Sequence, residues 1–331
     1  MVSLKDVAQL AGVSMMTVSR VLNHPDTVRP ETRKRVMQAV QTLNYIPDHS
    51  ARKIRTQRNN ASTIAILARD TATTPFSVEI LLAIEQTARE KGWNSFLINI
   101  FSEQDSERAV RQLLAQRPDG IIYTTMGLRH VTLPDVLKGE NVILANCQSD
   151  DKSLPAYIPN NFDAQYQATR YLIDRGYQKP LCFWLPDAEA ASRDRRNGFE
   201  HAWQTAGRSL SDTSQHHMML GDEHYTDLAE LLTIKLKDNH PDFDVLICGN
   251  DRIAFIAYQV LLAHGIAIPE QVAVLGFDNQ VGMGNLFLPP LSTIQLPHDE
   301  IGRQATLHII ENRENGGCQQ LPCPLLIRSS T

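Results

Sequence analysis

Cysteine is scarce in this chain, with five in 331 residues (Cys147, Cys182, Cys248, Cys318 and Cys323). An odd set without zinc-ligand spacing excludes a disulfide scaffold and a structural zinc site. Three of the five lie inside or beside apolar runs and read as small core residues in a reducing compartment. Long apolar runs are also missing. Nothing approaches the roughly 18 consecutive apolar residues that span a bilayer, so no membrane association is expected. Lys5 and Asp6 stand where a secretory signal would be apolar, and a cytoplasmic location is expected. No nucleophile–base motif and no paired catalytic carboxylates occur, and Gly282-Met-Gly284 lacks the context of a phosphate loop. His216-His217 has no partner cluster and reads as a surface loop. No catalytic residue, metal or cofactor is expected. No repeat or low-complexity tract interrupts the chain.

What is present begins at residue 3. Ser3 and Asp6 have the spacing of a capping box. Val7, Ala8 and Ala11 then form one apolar stripe, and Gly12 falls where a turn needs positive φ. Val13 plugs the corner, Ser14 can cap a second helix, and Val18, Val21 and Leu22 would face inward. That leaves Met15, Met16, Ser19 and Arg20 outward, which is wrong for a merely solvated face. Methionine suits dry contact with a thymine methyl, and arginine can bond guanine O6 and N7 together. Ser14, Thr17 and Asn23 are short polar groups suited to phosphates. The spacing predicts a helix–turn–helix that reads duplex DNA.

Charge agrees. Residues 1–58 hold ten bases against four acids, net +6, while the other 273 residues are net −11. Such a basic end can neutralise several phosphates and makes binding salt-dependent. Pro30 suits a helix N1 position, and Val36, Ala39, Val40 and Leu43 follow helical spacing to close a three-helix core. After Pro47, residues 48–55 offer Asp48 as a cap and Ala51 and Ile54 on one face. A helix so short is marginal alone, and reads either as basic linker or as a hinge helix ordered on DNA. In the hinge reading, Ile54 wedges into the minor groove. Residues 56–62 read as linker.

The order of helix–turn–helix, third helix, Tyr45-Ile-Pro-Asp48, Ala51-Arg52 and a long remainder resembles the lactose-repressor family over the whole chain. In the remainder, apolar runs (63–68, 96–100, 120–123, 142–145, 181–183, 245–248 and 272–277) alternate with helical periods (78–91, 106–116, 164–175 and 252–264). Alternation of this kind argues for doubly wound parallel sheets. The fold expected is therefore an α/β body with an all-α amino-terminal domain. The resemblance implies two lobes, similar to periplasmic sugar-binding proteins, with the chain crossing between them three times. The expected division is residues 1–58 for the DNA-binding domain and 60–331 for effector binding and dimerisation. One lobe would take about 61–160 and 291–322, the other about 163–288 and 323–331.

Ligands in such sheets sit outside the carboxyl ends of the strands. Asp70, Asn146, Trp184, Asn250 and Asp278 all follow predicted strands. Any one could be a cap or turn former, but together acids, amides and an indole suit a polyhydroxylated sugar. The resemblance adds Phe76 as a pocket wall and Arg195 as a ligand-bonding group. It also implies a repressor of a sugar-utilisation operon, released from near-palindromic operator DNA by a small sugar inducer. Within the family, the whole sequence is most similar to repressors of sucrose operons, which points to sucrose or fructose. A regulator of another carbohydrate operon, or a carbohydrate-acting enzyme, is the alternative. One helix–turn–helix makes too few contacts for tight binding, and no heptad tail follows Leu325–Ile327, so a homodimer is expected.

Overall fold

Ser3 starts the first helix as its spacing requires. Its hydroxyl accepts the Asp6 N–H at 3.3 Å, and the Asp6 carboxylate accepts the Ser3 N–H at 2.8 Å. Helix α1 (Leu4–Ala11) ends at Gly12, whose φ of +63° is left-handed backbone that a side chain would strain. Ser14 then caps α2 (Met15–Asn23) by accepting the Thr17 N–H. Pro30 opens α3 (Pro30–Thr42). Val7, Ala8, Ala11, Val18, Val21, Val36 and Ala39 form the core of this unit, with Leu22, Val40, Leu43 and Tyr45 packed against it. In this computed structural model the described residues are 3–43, 45, 62–70, 75–219, 225–236, 240–280, 282–314 and 316–331. They fall into one unit up to Ala61 and a second from Ser62. The expected hinge, with Ala51 and Ile54, lies outside the described residues.

The second unit contains two six-stranded sheets. The first is built from β1 (Thr63–Arg69), β2 (Asn94–Ile100), β3 (Gly120–His130), β4 (Val142–Gln148), β5 (Ala156–Pro159) and β11 (Cys318–Leu321), in the order β11-β5-β4-β3-β1-β2. The second is built from β6 (Pro180–Trp184), β7 (Ser214–His217), β8 (Val245–Cys248), β9 (Ala273–Asp278), β10 (Ser292–Gln295) and β12 (Leu325–Leu326), in the order β12-β10-β9-β8-β6-β7. Neighbouring strands pair in parallel, except β12, which runs antiparallel to β10. Helices α4 (Pro75–Glu90), α5 (Glu103–Ala115) and α10 (His298–Ile310) pack with the first sheet. With the second pack α6 (Asn161–Asp174), α7 (Ala190–Thr205), α8 (Tyr225–Lys235) and α9 (Asp251–Ala263). Each sheet is buried on both faces, as near-continuous apolar strands require.

Three expectations need correction. β3 continues to His130 through an irregularity between Thr124 and Arg129 rather than stopping at Tyr123. Gly127 allows this bulge with a φ of +70°. Residues 291–296 do not return the chain to the first lobe. Thr293 and Ile294 pair with Gly276 and Phe277, so β10 belongs to the second sheet and the return follows Gln295. His216 and His217 are not loop residues: they pair in register with Phe183 and Trp184, an edge position that their polarity disguised.

The two helices α4 and α10 touch where Gly302 leaves no room. A Cβ at this position would stand 2.5 Å from the Ile80 carbonyl oxygen and 2.8 Å from the Ala83 Cβ. Gly302→Ala is therefore expected to destabilise the body by about 1–3 kcal/mol, the usual cost of overpacking. A lowered urea midpoint at unchanged m-value would register it; an unchanged midpoint would show that the helices can move apart freely.

Candidate functional site

Helix α2 presents two exposed methionines, Met15 and Met16, at 52% and 71% exposure. Arg20 is exposed on the same helix. Exposed thioethers are costly in water and useful only against an apolar partner. The Ser14 and Thr17 hydroxyls are 2.9 Å apart and bond to each other. Ser19 is half-buried rather than fully outward. Asn23 closes the helix, and its side chain is not among those described.

In each sheet the chain order reverses once, between β1 and β3 in the first and between β6 and β8 in the second. Ligand crevices form at such switch points, outside the strand carboxyl ends. At the second switch point Arg195 is the organising residue. It projects from α7 and is 3% exposed. Its Nε donates to Asn161 Oδ1 at 2.9 Å, its Nη1 to the Gly249 carbonyl, and its Nη2 to Asp278 Oδ1 at 3.2 Å. The guanidinium carbon lies 3.5 Å above the centre of the Phe277 ring, so charge, π-face and hydrogen bonds all hold one orientation. Asn250 caps α9 by accepting the Ile253 N–H at 2.9 Å. Asp251, wholly buried beside it, accepts from Thr293 Oγ1 at 2.7 Å and from the Gln280 N–H at 2.8 Å.

At the first switch point, Asp70 follows β1, and its carboxylate accepts from Arg129 at 2.7 Å. Asn146 is buried within β4 and is bonded reciprocally to Thr125, whose hydroxyl donates to the Asn146 carbonyl. Phe76 lies in the first turn of α4, and its side chain is not among those described. Asp70, Asn146 and Asp278 share one further property: their φ values are +56°, +58° and +108°. Backbone strain of this kind concentrates at ligand clamps.

Trp184 does not join this group. It is fully buried, its ring centre lies 5.7 Å from that of Phe199 at a tilt of 54°, and it donates its indole N–H to Gln215 at 2.8 Å. Strand alternation puts it on the face of Cys182, toward the core under α6 and α7. Several residues went unread in the sequence. Arg129 reaches the site only because of the β3 bulge. Asn161 Nδ2 and Gln280 Oε1 are buried without a hydrogen-bond partner, a donor and an acceptor of the kind a ligand completes. No periodicity marks any of the three. Among the described residues no cluster of three or more metal-binding side chains occurs, and no helix is long and apolar enough to cross a membrane.

Burial pushes Asp278 up to about 7 and Asp251 up to about 6, against the opposing pull of Arg195 and, at Asp251, of its hydrogen bonds. The sign follows. Between about pH 4 and pH 7 the folded chain keeps protons that the unfolded chain has lost, so these groups favour folding less as pH rises. Asp278→Asn is expected to flatten the pH-stability slope of the body by on the order of 2–3 kcal/mol between pH 5 and pH 8. Parallel stability curves for the two proteins by chemical denaturation would contradict this.

A helix–turn–helix unit joined to a two-lobed body with polar side chains converging at its switch points is the build of a ligand-responsive DNA-binding regulator. Two family descriptions match: "Periplasmic binding proteins and sugar binding domain of LacI family" over residues 60–329, and "Bacterial regulatory proteins, lacI family" over residues 3–48. The chain belongs to the LacI family. It is 68% identical over 331 residues, all of both chains, to the sucrose operon repressors of Escherichia coli and Shigella flexneri. It is 30% identical over the full length of both chains to the NTD biosynthesis operon regulator NtdR of Bacillus subtilis. A lac repressor dimer bound to operator and an anti-inducer shares the fold, with a TM-score of 0.80 at 22% identity over 99% of this chain and 98% of that one. A complex of the transcriptional regulator CelR with cellobiose matches with a TM-score of 0.67 at 25% identity over all of both chains.

Proposed function

We propose that this protein is a cytoplasmic, sequence-specific repressor of a sucrose-utilisation operon that leaves its operator when sucrose or fructose binds between the two lobes. The observation that carries the reading is the full-length identity of 68% to proteins named as sucrose operon repressors. The geometry supports it at both ends of the chain. Met15, Met16, Ser19 and Arg20 of α2 face the DNA, with the methionines and Arg20 on bases, while Ser14, Thr17 and Asn23 position the helix on phosphates. Ala51 and Ile54 serve the hinge at the minor groove. In the body, Asp70, Phe76, Asn146, Arg195, Asn250 and Asp278 form the sugar site.

A hydrolase is not favoured, because the carboxylates of Asp251 and Asp278 are committed to Thr293, Gln280 and Arg195. The protein acts as a homodimer on a near-palindromic site. Exposed Val78 and Leu82 on α4, Leu97 and Phe101 at β2, and Phe255 and Leu262 on α9 supply apolar surface for a second copy. The test is a gel shift with operator DNA from a sucrose operon, titrated with sucrose, fructose and unrelated sugars. Release by sucrose or fructose alone supports the reading. Retention of DNA with both, and release by another sugar, assigns the protein to a different carbohydrate operon.

A further inference from the structure

Four of the apolar clusters in the body each stay with one sheet. A fifth joins both. Leu128 of β3 and Ile158 of β5, from the first sheet, pack with Ala191 in the first turn of α7, all three being less than one-tenth exposed. Leu128 reaches α7 because β3 runs on past its bulge. The next residue, Arg129, turns back to the Asp70 carboxylate at 2.7 Å. Glu189, which precedes α7, lies in the field of both Arg129 and Arg195. Ala191 and Arg195 stand four apart and so share one face of the helix. The first turn of α7 therefore touches the first lobe, and its second turn holds the guanidinium that binds Asn161, Gly249 and Asp278.

We propose that Leu128 and Arg129 are positioning residues for the sugar response: Leu128 packs on α7 while Arg129, tied to Asp70, fixes the strand end that carries Leu128, and together they keep α7, and with it Arg195, against the first lobe in one of the two lobe arrangements that sugar and operator favour unequally. The proposal rests on the repressor reading above. A ligand shifts such a balance only through its different affinity for the two arrangements. A contact made in one arrangement and absent from the other biases the same balance from within the chain. Loss of that contact must then move sugar affinity and operator affinity in opposite directions. A residue that merely stabilises the body has no such signature, since its loss weakens both or neither.

The experiment uses the full-length protein with operator DNA, fructose and sucrose. Leu128→Ala removes the apolar contact. Arg129→Gln removes the charge from a side chain that is 41% exposed, where folding is not at risk. Operator Kd without sugar and sugar Kd without operator are each measured by titration. Both variants are expected to shift the two constants in opposite senses, each by on the order of three- to tenfold. Constants that stay within about twofold of wild type, or that weaken together, overturn the proposal. A wild type that binds operator and ignores both sugars refutes the sugar reading instead. The operator arm then decides alone, with an unchanged Kd in both variants counting against the proposal.

Discussion

Asp278→Ala is expected to abolish release by sugar while leaving operator affinity close to wild type, which yields a permanently repressing protein. The carboxylate stands at the end of β9, with φ of +108° and one oxygen 3.2 Å from Arg195 Nη2. It orients a guanidinium that also donates to Asn161 and Gly249, leaving one N–H on each terminal nitrogen for a ligand. A hydrogen bond to a charged group contributes about 1.5–3 kcal/mol, so losing it alone weakens sugar about 10- to 150-fold. Disturbance of Arg195 adds to that. Asp278→Asn separates the two parts, since it keeps the shape and removes the charge. Because burial holds Asp278 near 7, ionisation between pH 6 and pH 8 should raise sugar affinity about tenfold in the wild type and not in Asp278→Asn. Reciprocity sets a further condition: operator must weaken sugar by the factor by which sugar weakens operator. Fluorescence titration of each ligand against the folded variant checks all of this. Loss of operator binding in Asp278→Ala, with circular dichroism unchanged, would contradict the assignment of separate sites.

The amino-terminal unit was legible in the sequence because its determinants are local. The Ser3 capping box, the left-handed Gly12, the Ser14 cap and the apolar spacing through Val18 and Val21 all act within a few residues of one another. The apolar strands β1, β6 and β8 were equally plain. Long-range pairing was less so. β11 reads Cys-Gln-Gln-Leu, with no apolar pattern, and is a strand because β5 lies beside it. The carboxyl-end rule found Asp278, a partner of Arg195, and Asn250, the neighbour of the Gly249 carbonyl that Arg195 bonds, but it counts position along a strand and ignores side-chain direction. Trp184 shows the cost: alternation from Cys182 already turned it toward Phe199. Arg129 and Asn161 needed the three-dimensional structure, since one depends on a bulge and the other on a helix packed across from α7.

Arg20→Ala is expected to produce the other large change, at the opposite end of the chain and with the opposite outcome for sugar. Arg20 is exposed in the last turn of α2, on the helix that presents Met15 and Met16. The core behind that helix is closed by Val18 and Val21, so the substitution leaves folding untouched. A bidentate contact to guanine contributes roughly 1–3 kcal/mol per half-site. A dimer on a near-palindrome loses it twice, so operator affinity should fall by about 30-fold to more than 10⁴-fold. Binding to random DNA, which depends on phosphate contacts and counterion release, should change little beyond the loss of one charge per subunit. Preference at one base pair of each half-site should relax, and sugar affinity should be unaffected. Arg33→Ala is the control. Its side chain is half exposed and its nearest acid, Asp26, stands 3.6 Å away in solvent. It should weaken all sequences alike and lower the salt slope by about two, one for each half-site. Competition binding against a library of operator variants at two salt concentrations distinguishes the two residues. Equal losses on operator and random DNA for Arg20→Ala would remove it from the reading surface, and leave base reading to Met15 and Met16 among the described exposed side chains of α2.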